Sequence, residues 1–543
     1  ILTSAPGVKI LITSLERLHL QVEWVHMVSG LDFPHADPQL VLERTGTGLS
    51  DHSESVDLSW REYSAVRLFL QLVERVQPQT RFSETEKAAI IDICRLVEGL
   101  PLGLELAAAW RRAMTFEEIA AELDRDVGAL QTDLRDVPQR HRSMNALFDN
   151  CWQLLSAEER MAIGKLAIFE GGFTREAAGH IAHADMSMLM ALLDKSLLRT
   201  GPTGRYFMHE ILRHCALERL GENAEVLAEA RAHHAAYYAS FVEDRHRKLG
   251  THLHRATAAE IAKDIENIRA AWRWSVDHAR LDHIDRSLEG LHRFYIGQEW
   301  SVEGIEIVRG AIERIEAQPL SGDASVFPTE IIRGRLLARE GHLAYHLGRH
   351  NDAHESLSAA LALFAELTLQ AADDDARRLL MAERAFALRY LGATARKTGD
   401  LDRAETFCRQ SLSLYEELED ERDLAGTLQH LAIIAAERSD YSEARRLFKT
   451  TRALFHTLDD PFGVANTLNN LGVLAGLLGE PERAYWRHQE CLAMRRSIND
   501  RRGIATSLNN LGDLEAKQGN FAEAKKLLQE SLTIQEELGG REL

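Results

Sequence analysis

The sequence predicts a mainly α protein whose C-terminal part is an α-solenoid, and three observations predict it. The pairs Leu391-Gly392, Leu431-Ala432, Leu471-Gly472 and Leu511-Gly512 recur every forty residues. Thirteen residues beyond each Leu stands Ala404, Ala444, Ala484 or Ala524. Between the two markers lie the turn pairs Gly399-Asp400, Ser439-Asp440, Gly479-Glu480 and Gly519-Asn520. A fixed period of this length means helix-turn-helix units that stack, because one unit cannot bury its apolar face alone. The small residue after the Leu lets the two helices approach, the Ala accepts that approach, and Phe448 or Leu528 fills the remaining gap. A weaker copy at Gly341, Gly348 and Ala353 is set apart by the acidic stretch AADDDARR at 371–378, giving about five units over 331–543.

The elements before the array follow from local signals. Val8 to Ile12, followed by Thr13 and Ser14, reads as a buried strand ending in a polar loop. A lone buried strand leaves its backbone groups unpaired, so its sheet partners are expected upstream of Ile1. Helices are predicted over SAVRLFLQLVERV and ETEKAAIIDICRLVEG, the latter stopping at Gly99-Leu100-Pro101. Gly as C-cap and Pro at the first position of the next helix, LGLELAAAWRRA, make a sharp corner. Helices follow over SMNALFDNCWQLL, SAEERMAIGKLAIF with its capping box Ser156 and Glu159, TREAAGHIA and MSMLMALLDKS. The runs SLLR and RYFMH, joined across Thr200 to Gly204, predict a hairpin, and with the helices a winged-helix arrangement over 143–221. Residues 222–330 are helical without a clear repeat.

Composition narrows the functions open to the chain. Its 543 residues suit three or four domains, and a net charge of −19 argues against a surface that binds nucleic acid generally. Cys94, Cys151, Cys215, Cys408 and Cys491 have no paired spacing and read as reduced core thiols, neither a disulfide framework nor a zinc site. With no eighteen-residue apolar run and no signal-peptide pattern, a cytoplasmic location is expected. His209-Glu210 followed by His214 has a five-residue spacing where a zincin helix needs four, His233-His234 and His252 with His254 lack ligand partners, and Gly46-Thr47-Gly48 reads as a loop. No metal and no catalytic set is expected. The predicted reading helix MSMLMALLDKS is rich in Met, Leu and Ala, with Asp194 and Lys195 cancelling, so it suits protein packing better than base reading.

The repeat markers resemble the tetratricopeptide repeat. The aromatic usual early in the first helix is Leu388, Leu428, Leu468 or Leu508 here, the closing Pro is missing, and the longer period predicts helices about a turn longer. In such an array the first helices line the concave face. That places Arg389, Gln429 with Ile433, Asn469 with Val473, and Asn509 with Asp513 along a mixed polar groove suited to an extended peptide or protein partner, or else simply solvated. One Asn of each pair, Asn469-Asn470 and Asn509-Asn510, can brace the neighbouring helix while the other faces the groove.

A second resemblance rests on several motifs in order: KILITSLERL, EGLPLGLELAAAW, RHRSMNALFDNCWQLLSAEER, LAIFEGGFTREAA, LLDKSLLR and RYFMHEILRHCALERL. Together they resemble the C-terminal part of the nucleotide-binding module of STAND or NB-ARC signal-transduction ATPases, over about residues 5 to 220. The resemblance implies a P-loop remnant at 1–58, a helical domain at 59–142, the winged helix at 143–221, an arm at 222–330 and a sensor array at 331–543. It implies ADP or ATP as ligand, with Mg in the parent protein. It also implies Thr13 and Ser14 at a strand end, a phosphate-sensing Arg replaced by Leu15 with Arg17 nearby, Gly99 and Pro101 against adenine, and His209 of Met208-His209-Glu210 on the β-phosphate. A helix corner and a structural His remain the plainer readings of the last two. The only Gly-Lys pair, Gly164-Lys165, lacks a Gly five residues earlier and precedes Leu166, so this chain has no Walker A loop and is not expected to hydrolyse ATP.

The expected function is the regulatory and sensing portion of a nucleotide-switched signalling or transcriptional regulator. Its array would bind a protein, a peptide or a small inducer. The family implies self-assembly when active, with DNA bound only through a domain absent from this chain. The alternative is a non-catalytic interaction scaffold whose nucleotide module is degenerate, as Leu15 allows.

Overall fold

The computed structural model describes residues 30–34, 60–76, 82–125, 130, 152–201, 203–251, 253–317, 323–371 and 373–539. The chain divides into two compact units, Ile1–Tyr237 and Tyr238–Leu543. The predicted strand at 8–12, with Thr13, Ser14, Leu15 and Arg17, lies outside the described residues, as do Gly46 to Gly48, Cys151 and most of SMNALFDNCWQLL.

In the first unit, α1 (Ser64–Val76), α2 (Glu84–Leu96), α3 (Pro101–Trp110) and α4 (Phe116–Arg125) surround Phe69, Ile90, Ile93, Leu104 and Phe116. Ser83 and Glu86 form a capping box that starts α2. The predicted box at Ser156 and Glu159 starts α5 (Ala157–Leu166), its two bonds 3.2 and 2.7 Å long. Then come α6 (Arg175–Ala182), α7 (Met186–Asp194) and the hairpin β1 (Arg199–Thr200) with β2 (Tyr206–Phe207). Arg199 pairs with Phe207 and Thr200 with Tyr206, and Phe173 bridges to the outer side of Tyr206. The strands are shorter than the apolar runs that predicted them. Next, α8 (Glu210–Gly221) returns Ile211, Cys215 and Ala216 to the core of the first helices, and α9 (Ala224–His246) leads out of the unit.

The second unit continues with α10 (His254–Lys263), α11 (Ile265–Asp277), α12 (Leu281–Gly297) and α13 (Ser301–Ala317). Five helix pairs follow: α14 (Asp323–His346) with α15 (His350–Gln370), α16 (Asp374–Lys397) with α17 (Leu401–Leu418), α18 (Glu421–Glu437) with α19 (Tyr441–Thr457), α20 (Pro461–Leu477) with α21 (Pro481–Ile498), and α22 (Arg501–Lys517) with α23 (Phe521–Gly539). The markers do what their sizes require. A Cβ on Gly392 would lie 2.5 Å from Cys408 Sγ and 2.9 Å from Ala404 O, and one on Gly341 would lie 2.6 Å from Leu357. The acidic stretch at 371–378, read as an insert between units, is instead the start of a helix: Asp373 caps α16 and accepts from Ala376 N–H at 2.7 Å. The extra residues lengthen α15 and α16 to 21 and 24 residues.

Two further repeat signals emerge. Glu419, Asp459 and Asn499 turn through the left-handed region, and Asp420, Asp460 and Asp500 after them cap α18, α20 and α22. Inside the pairs, Ser411, Cys491 and Ser531 are buried and donate to the carbonyls of Ala385, Ala465 and Ala505 at 2.7, 3.1 and 2.8 Å. Each bond ties a second helix to the first helix of its own repeat.

Candidate functional site

Glu98 and Gly99, both left-handed with φ of 46° and 63°, end the turn after α2 and aim Pro101 at the start of α3. Gly30 and Leu31 pack on this corner, where Leu31 N–H donates to Gly99 O at 2.9 Å. A Cβ on Gly99 would lie 2.0 Å from Leu31 O, so position 99 needs glycine for space as well as for its φ. The Pro101 ring is exposed.

His209 stands across from the corner as the N-cap of α8. Its Nδ1 accepts from Ile211 N–H at 3.3 Å, so the proton of the neutral ring sits on Nε2. That Nε2 is buried, has no hydrogen-bond partner among the described residues, and lies 3.6 Å from Glu98 Oε2. Burial, opposed by Glu98, lowers the His209 pKa and keeps the ring uncharged at neutral pH. Glu98 is occupied elsewhere: Oε1 accepts from Glu210 N–H at 2.8 Å and Oε2 from Arg199 at 3.0 Å. Sequence reading missed Glu98; its only signal was an acid directly before the Gly-Leu-Pro turn. Gly99, Pro101 and His209 thus come together around Glu98. On α7, Met186 and Met190 are exposed, and Lys195 beyond it is bonded to Glu159 at 2.7 Å.

In the second unit, first helices of successive repeats pack on one another: α12 on α14, α14 on α16, α16 on α18, and α18 on α20. Val473, Asn509 and Asp513 are exposed, and Gln429 and Asn469 half-buried. Asn510 donates to Asn469 at 2.8 Å, bracing adjacent repeats while Asn509 stays open, and Gln429 Oε1 accepts from Thr467 at 3.1 Å. Arg389 departs from the expected pattern. It is 7% exposed, and its guanidinium reaches into the seam between α16 and α18, donating to Asp423 Oδ1 at 2.8 Å and Tyr390 Oη at 3.1 Å. Gly426 makes the room, since a Cβ there would lie 2.7 Å from Arg389 Nη1. Arg389 is therefore part of the wall and not an open groove residue.

Beneath the groove runs a buried ionic ladder. Arg335 and Arg339 hold Glu383 at 2.8 and 2.6 Å, Arg339 also holds Glu289 at 3.0 Å, and Arg335 bonds Asp285. Burial pushes the Glu383 pKa up, but Arg339 and Arg335 outweigh it and hold it below its usual range. Beside the ladder, His292, His342 and His346 bond in series at 3.0 and 3.1 Å, with Tyr390 against His342 at a ring separation of 3.6 Å. Burial pushes His292 and His430 down to about 3 and His346 to about 4. The His346 side chain as a whole is exposed, but its Nε2 end lies on His342, and Arg502 also lowers its pKa. Along the helix N-terminal edge, Arg422, Phe462 and Arg502, one per repeat at forty-residue spacing, meet the chain's own preceding helices. The His254 ring lies 4.6 Å from Phe462, Glu299 lies 4.0 Å from Arg502, and a Cβ on Gly250 would lie 3.5 Å from Arg422.

Paired helices closed by a glycine or alanine on one and an alanine on the other are what a family profile described as tetratricopeptide repeat matches here, at residues 383–455 and 463–537. Those residues are tetratricopeptide repeats. The tetratricopeptide array sits in a chain that is 30% identical over 305 residues to a Mycobacterium tuberculosis protein named as an HTH-type transcriptional regulator, covering 53% of this chain and 33% of that one. It is 27% identical over 198 residues to an uncharacterised protein of Mycobacterium tuberculosis, covering 33% of this chain and 50% of that one. The chain thus spans a third to a half of the length of these curated relatives. Among solved structures it is similar to a signal transduction ATPase with numerous domains (STAND) with a tetratricopeptide repeat sensor from Pyrococcus horikoshii, at 15% identity and a TM-score of 0.41, covering 86% of this chain and 66% of that one. It is also similar to a Rap protein complexed with competence and sporulation factor, at 13% identity and a TM-score of 0.36, covering 57% of this chain and 99% of that one.

Proposed function

We propose that this chain is the regulatory and sensing portion of a nucleotide-switched signalling or transcriptional regulator, in which the tetratricopeptide array binds a protein, a peptide or a small inducer. One observation carries the nucleotide part: the buried Nε2–H of His209 has no acceptor among the described residues, although it faces the Glu98 to Pro101 corner. A buried donor without an acceptor costs about 1–3 kcal/mol, and a phosphate oxygen of ADP would satisfy it. His209 would hold that phosphate, and the exposed Pro101 ring beside Gly99 would offer an apolar face to the base. When bound, the nucleotide supplies a charge that differs between its di- and triphosphate forms. The chain's own part is to keep His209 neutral by burial and oriented by Ile211 N–H. Thr13, Ser14 and Arg17 would complete the site from outside the described residues.

The array's part of the reading rests on the repeats and on the exposed Val473, Asn509 and Asp513, which offer apolar, amide and carboxylate groups to an extended partner. A scaffold without nucleotide control is the second reading, favoured by Leu15 where the family resemblance places a sensing Arg.

The test is ADP affinity, by fluorescent-analogue titration, in the longer polypeptide carrying the phosphate loop that the family reading requires. His209→Ala is expected to weaken binding about tenfold or more, the equivalent of about 1.4 kcal/mol, and to raise basal activity. Unchanged affinity with unchanged basal activity sinks the latch and leaves the scaffold.

A further inference from the structure

The facing parts of α14, α16 and α18 gather basic and aromatic groups whose hydrogen-bonding capacity is not used up, with the His342 ring 4.7 Å from His346 and 3.6 Å from Tyr390, and the Tyr390 ring 6.2 Å from His430. His430 Nδ1, Arg396 Nε and Arg389 Nε are buried and have no hydrogen-bond partner among the described residues. Tyr390 Oη accepts from Arg389, which leaves its own proton to donate. The nearby acids are engaged: Asp423 by Arg389, Glu437 by Arg396 Nη1 at 2.6 Å, and Glu299 lies 4.0 Å from Arg502. Whole-chain composition points the other way, with a net charge of −19.

We propose that this cluster binds an anionic group, a carboxylate or a phosphate, held by His346, His430 and Arg396 with the Tyr390 hydroxyl. The proposal rests on the reading of the array as the sensing part and names the chemistry of what it senses. Donors outnumber free acceptors here, so a neutral polyhydroxy ligand would leave some of them unmet, whereas an oxyanion accepts from several at once. The charges that bear on His430 at neutral pH are Arg389 and Arg396, and the one that bears on His346 is Arg502, all positive. A bound anion offsets that field.

Isothermal titration of the chain at low ionic strength with inorganic phosphate, with citrate and with glucose tests the site. Phosphate or citrate is expected to bind at one site per chain and glucose not at all; phosphate alone identifies a phosphate source, citrate alone a carboxylate source. Arg396→Gln and, independently, His430→Gln are expected to weaken the anion tenfold or more, with the circular dichroism of the array unchanged. Arg438→Gln, an exposed cation just past the end of α18 that pairs with Asp402 and Glu405, is expected to leave the affinity as it was. No heat with either anion, or an equal loss in Arg438→Gln, overturns the anion site. Since neither result touches the ADP affinity tested through His209, the sensor reading stands or falls separately.

Discussion

Glycine at 99 follows Glu98 in a left-handed pair, and its Cα faces the Leu31 carbonyl so closely that no side chain fits. Gly99→Ala is expected to destabilise the first unit by roughly 2 kcal/mol or more, from left-handed strain plus displacement of the segment around Leu31. Urea unfolding followed at the tryptophans of that unit measures it; a loss under about 0.5 kcal/mol would mean that the corner relaxes freely. The corner itself was legible in the sequence because Gly followed by Pro at a helix start is a local signal. Glu98 as the group linking the corner to α8 was not, since its partner Glu210 N–H is 112 residues away in sequence. Arg389 illustrates the same limit. Its register on α16 predicts a groove position, but space at Gly426 on the next repeat and the charge of Asp423 draw the guanidinium into the wall.

At the scale of the element, the array is regular because α16 to α20 and α22 each start on a capping aspartate. Asp460 is one of three capping aspartates at forty-residue spacing; it accepts from Gly463 N–H at 2.8 Å and pairs with Arg422 at 2.7 Å. Asp460→Ala removes the cap and leaves Arg422 without that partner, so a loss of about 1–2 kcal/mol is expected, while Asp460→Asn keeps the cap and loses less. Amide exchange at the first turn of α20 reads the effect locally. Equal exchange in the two variants would show that the charge and not the cap matters. Leu-Gly and Ala markers expose the repeat in the sequence since close packing admits only small residues there. The capping aspartates keep the same period and the Ser411, Cys491 and Ser531 bonds fall on multiples of it, skipping Thr451, which bonds Leu447 O of its own helix, yet polar residues are common enough that their role shows only once the accepting backbone groups are located.

For the molecule as a whole, the inner helices store uncharged imidazoles among fixed charges. His292, His342 and His430 have pKa values held down by burial in the fold. In the unfolded chain they titrate near 6.5. Between those values the unfolded state binds more protons, so their stabilising effect is full above pH about 6.5 and is lost as pH falls toward about 4 and below. Glu289 and Glu383, held low by arginines that outweigh their burial, add a second loss once pH drops below the ordinary carboxylate range. The thermal midpoint of the second unit is therefore expected to be flat above pH 7, to fall between pH 6.5 and 4, and to fall less steeply in His430→Gln. Scanning calorimetry across that range checks it, and a midpoint constant from pH 7 to 4.5 contradicts it.

The sequence by itself determined the helical class, the forty-residue repeat, the helix starts and stops, and the Gly99-Pro101 corner. All of these follow from interactions among residues close along the chain, from caps to 3.6-residue periodicity to the size of a packing residue. Only the tertiary structure decided that Arg389 belongs to the wall, that Gly250, His254 and Glu299 lie against the edge of the array, that Glu98 faces His209, and that His292, His342 and His346 bond in series. Those outcomes depend on burial and on charges brought together from repeats forty or more residues apart, where desolvation and Coulomb terms several times larger than any local preference set which groups pair.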